Sequence, residues 1–90
     1  MTDEAAVPGF AVGVKFRFDR VRDSWVVLAP ERLFVPDAHA VEILRLVDGQ
    51  RSLGGIIDSL AGRFDAPRAV IARDVVDVLH ELADRGAIRL

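Results

Sequence analysis

The strongest constraint on the fold is a change in the spacing of apolar residues at Pro36. Before it, the stretch "VKFRFDRV" alternates strictly, with Val14, Phe16 and Phe18 on one face of a half-buried strand. After it, apolar residues recur at the spacing of a helix. A chain that places its strands first and its helices afterwards is typical of the α+β class, because parallel sheets need the two to alternate.

Two further strands follow the alternating one. Arg22 to Ser24 is turn chemistry, and the "WVVLA" after it is apolar on both faces, as in a strand that is covered on both sides. The third strand, Arg32 to Val35, is short and apolar and lies between Pro30 and Pro36. Because proline donates no ladder hydrogen bond, these two prolines fix its length.

Three helices account for the rest of the chain. Asp37 is the expected N-cap of the first, and Asp48-Gly49 its C-terminal cap. Ser52 opens the second helix. The third spans about 67–85, where Gly86 ends it.

Each helix has an inward apolar stripe, and the third has two. The stripes are Ala40, Val41, Leu44 and Val47 on the first; Ile56, Ile57, Leu60 and Phe64 on the second; Ile71, Val75, Val78 and Leu82, and beside them Ala72, Val76, Leu79 and Ala83, on the third. The apolar sector of the third helix is therefore wider than one helix contact requires.

This order predicts a winged-helix-like α+β fold, a three-stranded antiparallel sheet followed by a three-helix bundle (β-β-β-α-α-α). Residues 1–12 lack periodicity and are expected to form a flexible N-terminal arm, and residues 13–90 a single domain. A chain of 90 residues buries roughly 60 to 65% of its unfolded surface, enough to fold without staples.

Composition narrows the function classes. The absence of cysteine excludes zinc ribbons, thiol catalysis and a disulfide framework, and fits a reducing compartment. The N-terminus resembles no targeting segment, and the longest apolar run, Trp25 to Ala29, is far too short for a membrane span. We therefore expect a cytoplasmic domain that binds no membrane.

A winged helix suggests nucleic-acid binding, but the charges argue against it. The net charge is −2, and phosphate binding needs basic surface. The third helix carries more carboxylates than arginines. The arginines are Arg68, Arg73 and Arg85, and the carboxylates are Asp74, Asp77, Glu81 and Asp84. We expect no nucleic-acid partner, although a winged-helix nucleic-acid-binding domain stays open as an alternative.

No catalytic or metal-binding pattern is present in the sequence. The run from His80 to Asp84 lacks the second histidine of a zinc-protease helix, and His39 stands alone before Glu42. Gly54-Gly55 lacks the lysine of a phosphate loop and is better explained by close packing at a helix start. We expect a protein that is not an enzyme, with no cofactor and no metal.

The third strand offers a different function. It is expected to pair on one side only, leaving main-chain N–H and C=O groups free, and natural sheets usually protect such edges. An open edge beside a wide apolar helix face is suited to a peptide that binds as an added strand. An ordinary edge strand over a core helix, in a purely structural protein-interaction domain, remains the alternative.

The chain resembles the PqqD family of pyrroloquinoline quinone (PQQ) biosynthesis over about 16–88. The recognisable parts are Pro30-Glu31, Ala40 with Ile43-Leu44, Asp48-Gly49, and Asp74-Val75 with Leu79 and Leu82; the departures are Pro36-Asp37, where the family tends to have Leu-Asn, and Ala87, where it often has tryptophan. Aspartate caps a helix as asparagine does, so the first departure leaves capping intact.

The resemblance implies a peptide chaperone that belongs to the recognition elements of ribosomally synthesised, modified peptides (RiPPs). Such proteins bind the precursor peptide PqqA and present it to the radical S-adenosylmethionine (SAM) enzyme PqqE. Related domains take the leader peptide as an extra strand beside the third strand and over the third helix. Carried onto this sequence, the peptide-binding residues are Arg32, Leu33, Phe34 and Val35 on the strand and Val75, Val76 and Leu79 on the helix.

Two hypotheses refine this site. Arg32 and Arg73 are expected to hold carboxylates of an acidic peptide at the rim, and Val76 and Leu79 to line the groove. We expect a monomer, for which exchange of the open strand is the route to a dimer.

Overall fold

The computed structural model describes residues 3–90 and has the predicted α+β architecture. A three-stranded antiparallel sheet in the order β2-β3-β4 precedes three helices, which confirms the predicted fold class. A second, two-stranded sheet joins the two ends of the chain. The elements are β1 (Gly9–Phe10), β2 (Lys15–Asp19), β3 (Ser24–Ala29), β4 (Arg32–Phe34), α1 (Ala38–Leu44), α2 (Leu53–Arg63), α3 (Arg68–Asp84) and β5 (Ile88–Arg89).

β3 is the central strand of the larger sheet. Val27 lies opposite Phe16 of β2 and Phe34 of β4, so these three side chains share the face that packs on the helices. Val26 points to the other face and is also fully buried. Val26 and Val27 are thus both covered although they point to opposite faces of the sheet, as the sequence predicts for this strand.

The outer end of the inward face is only partly covered. Phe18, which the alternation places with Val14 and Phe16, is 43% exposed. Its ring meets the Trp25 ring edge-on at 5.9 Å, and Trp25 stacks on Phe16 at 4.9 Å. The last residue of the alternating pattern therefore lies outside the core cluster and is in contact with another aromatic ring.

The predicted helix caps are present. The Asp37 carboxylate accepts a hydrogen bond from the Ala40 amide at 2.8 Å, and the Ser52 hydroxyl accepts one from the Gly55 amide at 3.1 Å. α3 ends before Gly86, whose φ of +81° is the left-handed conformation that favours glycine. These caps fix where the chain enters and leaves the bundle.

α1 is shorter than the sequence predicts. It ends at Leu44, and the amides of Leu46 and Val47 then bond three residues back in a tighter turn. The Asp48 carboxylate accepts hydrogen bonds from the amides of Gln50 and Arg51, which lower the pKa of Asp48. Asp48 therefore shapes the turn into α2, whereas the sequence predicts a cap for α1.

The prediction for Phe64 is wrong. α2 ends at Arg63, and Phe64 follows with an extended backbone, a φ of −111° and a ψ of 142°. Its side chain leaves the inward stripe as a result and is 46% exposed. The stripe of α2 instead consists of Leu53, Ile56, Ile57 and Leu60, all buried.

The N-terminal segment makes contacts that the prediction of a flexible arm did not include. Its described part contains β1, which pairs with β5, while residues 1 and 2 lie outside the described range. The Glu4 carbonyl accepts a hydrogen bond from the Gly54 amide at 2.8 Å. A Cβ on Gly54 would lie 3.0 Å from the Glu4 carboxylate, so the glycine permits this close approach.

A carboxylate–arginine contact at the same place makes the segment sensitive to acid. Arg68 donates to both carboxylate oxygens of Glu4, at 2.7 and 3.2 Å, and this hydrogen bonding lowers the pKa of Glu4 from its ordinary value of 4.5. A carboxyl group with a lowered pKa in the folded state stabilises the fold above its unfolded pKa, and loses that effect as the pH falls through the folded value.

We expect amide exchange at Gly54, corrected for the intrinsic rate, to accelerate as the pH falls below the ordinary glutamate pKa of 4.5. Glu4→Gln should make this exchange a few-fold faster already at neutral pH, as expected for loss of an exposed ion pair, and remove its pH dependence. Hydrogen–deuterium exchange with Glu42→Gln as a control is the measurement. Unchanged exchange in Glu4→Gln would contradict the assignment.

Candidate functional site

A cleft of about 440 Å³ lies between β4, the start of α1 and the C-terminal half of α3. Its lining is mostly apolar, with charged groups from α1 and α3 among them. The lining residues are Val27, Leu33, Phe34, Val35, Pro36, Asp37, His39, Ala40, Val78, Glu81, Leu82 and Arg85.

β4 forms one wall of the cleft and is an edge strand. It pairs with β3 from Arg32 to Phe34, and within residues 3–90 no strand pairs with its other side. Leu33 and Val35 are 39% and 57% exposed. Backbone groups and apolar side chains are thus accessible along the same short segment, which is what strand addition requires.

α3 forms the opposite wall through Val78 and Leu82, which stand four residues apart and are partly buried. One turn of spacing places both on the same face of the helix. At the rim, Arg85 donates a hydrogen bond to Glu81 at 3.2 Å, and its guanidinium lies 5.8 Å from the centre of the Phe34 ring. The cleft therefore has an apolar floor and a charged rim.

The structure brings together three of the predicted binding residues. Leu33, Phe34 and Val35 line the cleft, as expected for the third strand. Arg32 begins β4 and is exposed, on the same face as Phe34 because side chains two apart in a strand point the same way. The β-strand part of the predicted site is therefore contiguous.

The predicted helix residues lie elsewhere. Val75 and Leu79 have no exposed surface and belong to the core, and neither lines the cleft. Arg73 and Val76 lie on α3 but do not line the cleft. At 100° per residue they are turned about 130° and about 170° away from the face shared by Val78 and Arg85.

The helix residues that do line the cleft differ from those predicted. The sequence pattern places Val78 and Leu82 in the core stripe and Glu81 and Arg85 on the polar face. The signal in the sequence is the boundary between the apolar face and the polar face of α3. The apolar pair Val78 and Leu82 lies there beside the charged pair Glu81 and Arg85, and the members of each pair are four residues apart. Such a boundary is where a groove with an apolar floor and a charged rim forms.

Neither a metal centre nor a membrane span is found in the described chain. Within residues 3–90, no three His, Cys, Asp or Glu side chains are grouped as metal ligands would be. None of the helices described combines the length and apolar character needed to cross a bilayer. The cleft, at about 440 Å³, is larger than a second cavity of about 180 Å³ among the three helices.

Comparison with known proteins decides the family. The family model for coenzyme PQQ synthesis protein D (PqqD) matches residues 24–88, which include β3, β4 and all three helices. The chain belongs to the PqqD family. A PqqD relative from Rhodopseudomonas palustris (strain BisB5), called a PqqA binding protein, is 53% identical over 83 residues, which cover 92% of this chain and 81% of that protein.

Solved structures give the same result for the PqqD fold. The solution structure of the PqqD truncation of Methylobacterium extorquens PqqCD is 38% identical, with a TM-score of 0.81 over 100% of this chain and 96% of that one. It is described as a functional, stand-alone RiPP recognition element. TbiB1, in complex with the TbiA(beta) leader peptide, shares the fold at 22% identity, with a TM-score of 0.78 over 90% of this chain and 94% of that one.

Proposed function

We propose that this chain is a peptide chaperone that binds the precursor peptide PqqA as an added β-strand along β4. The observation that carries the proposal is the cleft, in which the edge of β4 left unpaired within residues 3–90 faces Val78 and Leu82 of α3. PqqA binding by a relative of 53% identity supports the choice of peptide. The main chain would set the register, and the apolar floor would select side chains.

The free energies involved predict moderate affinity. Each added main-chain hydrogen bond contributes about 0.5 to 1.5 kcal/mol, and each buried aliphatic side chain about 1.5 to 3 kcal/mol. Ordering the peptide costs about 1 to 2 kcal/mol per residue. A micromolar Kd corresponds to about −8 kcal/mol. Several main-chain hydrogen bonds and at least two buried side chains reach that value after the cost of ordering a short strand is subtracted, so we expect a Kd near micromolar.

Beyond binding PqqA, we propose that the chain delivers this peptide to an enzyme. In the cytoplasm the chaperone would carry PqqA to the radical SAM enzyme PqqE and take no part in the chemistry itself. A monomer suits this role, because exchange of β4 between two copies would occupy the edge that the peptide needs. Size-exclusion chromatography of the protein, PqqA and PqqE tests delivery: a ternary complex supports it, and elution of PqqE apart from the peptide-loaded protein contradicts it.

The arrangement of charges on α3 argues against the winged-helix alternative. Arg68 is held by Glu4 and Asp58, and Arg85 is paired with Glu81. Among the arginines of α3 and its C-cap, Arg73 alone forms no ion pair within residues 3–90. A recognition helix with one unpaired cation beside several carboxylates is a poor phosphate ligand.

Arg32 and Arg73 form a matched pair for testing the rim. Arg32 lies on β4 beside the cleft, and Arg73 faces away from it on α3. Arg32→Glu should weaken the binding of an acidic peptide several-fold, more at low salt than at high salt, because exposed charges are screened. Arg73→Glu should leave binding unchanged. Titration calorimetry at two salt concentrations measures both, and equal effects of the two variants would refute the assigned roles.

A further inference from the structure

A second cavity, of about 180 Å³, lies where α1, the end of α2 and the first half of α3 meet. We call it the side pocket. Its floor is buried, while Phe64 and Val70 at its rim are 46% and 51% exposed. The floor consists of Ile43, Leu60, Ile71 and Val75. Large apolar side chains left exposed around an apolar floor mark a surface that a ligand covers.

The side pocket adjoins the cleft. His39 lines both cavities. β4 leads through Pro36 and Asp37 directly to His39, so a strand that runs along β4 and continues past Val35 is directed at the side pocket. The cleft and the side pocket therefore lie one after the other in the direction of such a strand.

α3 gives the length of that path. It lines the cleft with residues between 78 and 85 and the side pocket with residues between 70 and 75. The centres of these ranges are about nine residues apart, which is about 13 Å along a helix. An extended peptide covers that distance with about four residues.

The charges at the side pocket favour a basic residue next to the side chain that fills the pocket. Asp74 lies 3.5 Å from His39, which balances its charge only when protonated. The other carboxylate at the rim, Glu42, is paired with Arg63 at 2.9 Å. A lysine or arginine beside the entering side chain would thus find a carboxylate in Asp74.

We propose that the peptide bound along β4 continues past His39 and places a second apolar side chain in the side pocket. This second anchor lies about four residues from the anchor in the cleft, and a basic residue next to it faces Asp74. The inference rests on the proposed function, because it requires a peptide on β4. It defines the ligand as a segment with two apolar anchors at a fixed spacing.

Val70→Asp tests the side pocket without disturbing the fold. Val70 is in the first turn of α3, where a negative charge is favourable to the helix dipole, and it is half exposed. The probes are PqqA from Rhodopseudomonas palustris and its truncations from either end. The shortest truncation that still shifts the amides of Leu33 to Val35 serves as the short peptide.

We expect Val70→Asp to weaken the binding of full-length PqqA about tenfold or more, and to leave the short peptide unaffected. Val21→Asp is the control, since Val21 is 96% exposed in the β2–β3 turn. Wild-type affinity of Val70→Asp for the full-length peptide, with the β4 amides still shifting, would overturn the inference alone. A Val70→Asp protein that binds PqqA normally but has lost binding to PqqE would also overturn the inference. No shift along β4 in the wild-type protein would overturn the proposed function, and the inference with it.

Discussion

Replacing Leu79 by aspartate is expected to unfold the protein, even though Leu79 lies on the helix that forms one wall of the cleft. Its side chain has no exposed surface and lies in the core cluster. A buried, unpaired carboxylate costs several kcal/mol on top of the lost apolar burial. Domains of this size are stable by only about 5 to 15 kcal/mol, so the substitution removes most or all of that margin. Circular dichroism during thermal unfolding measures the loss.

Two variants separate the loss of packing from the introduction of charge. Leu79→Ala should cost about 2 to 5 kcal/mol and leave a folded but less stable protein. Ala69→Asp introduces the same charge at an exposed position in the first turn of α3 and should change stability little. A folded Leu79→Asp protein with near-normal stability and lost peptide affinity would instead place Leu79 in the binding surface.

Replacing Val35 by aspartate is expected to have the opposite effect to Leu79→Asp: the protein should keep its normal stability and lose peptide binding. Val35 lines the cleft and is 57% exposed, so the free protein loses little burial. In the complex the same position would be covered by the peptide, and burying an aliphatic side chain contributes about 1.5 to 3 kcal/mol. We therefore expect PqqA affinity to fall about ten- to a hundredfold by titration calorimetry.

Val21→Asp is the matched control for this experiment. It makes the same chemical change at a position that is 96% exposed and does not line the cleft. Both variants should unfold at the temperature of the wild-type protein. Equal affinities of Val35→Asp and the wild-type protein would remove β4 from the binding site.

The fold was predictable because its signals are local. The alternation ending at Phe18, the N-caps Asp37 and Ser52 and the C-terminal Gly86 each specify a strand or a helix end through neighbouring atoms alone. β1 and β5 gave no such signal, since strands of two residues have no measurable alternation and their pairing joins opposite ends of the chain.

The helix half of the site was harder to predict for a different reason. The apolar sector of α3 is wide, and its periodicity does not tell which part meets the core and which part meets the cleft. Val78 and Leu82 turn toward β4, whereas Leu79 turns inward, and only the three-dimensional placement of β4 distinguishes them. Arg32 to Val35 could be recognised because an edge strand and its flanking prolines are visible in sequence.

The most direct test of strand addition is a titration of isotope-labelled protein with PqqA, followed by amide chemical shifts. We predict shifts concentrated at Arg32 to Val35 and on the face of α3 that carries Val78 and Leu82. We also expect slowed hydrogen exchange at the β4 amides that point into the cleft, because added-strand pairing protects them. Saturating peptide that leaves β4 unshifted, or shifts confined to the Arg73 face of α3, would rule out strand addition at this edge.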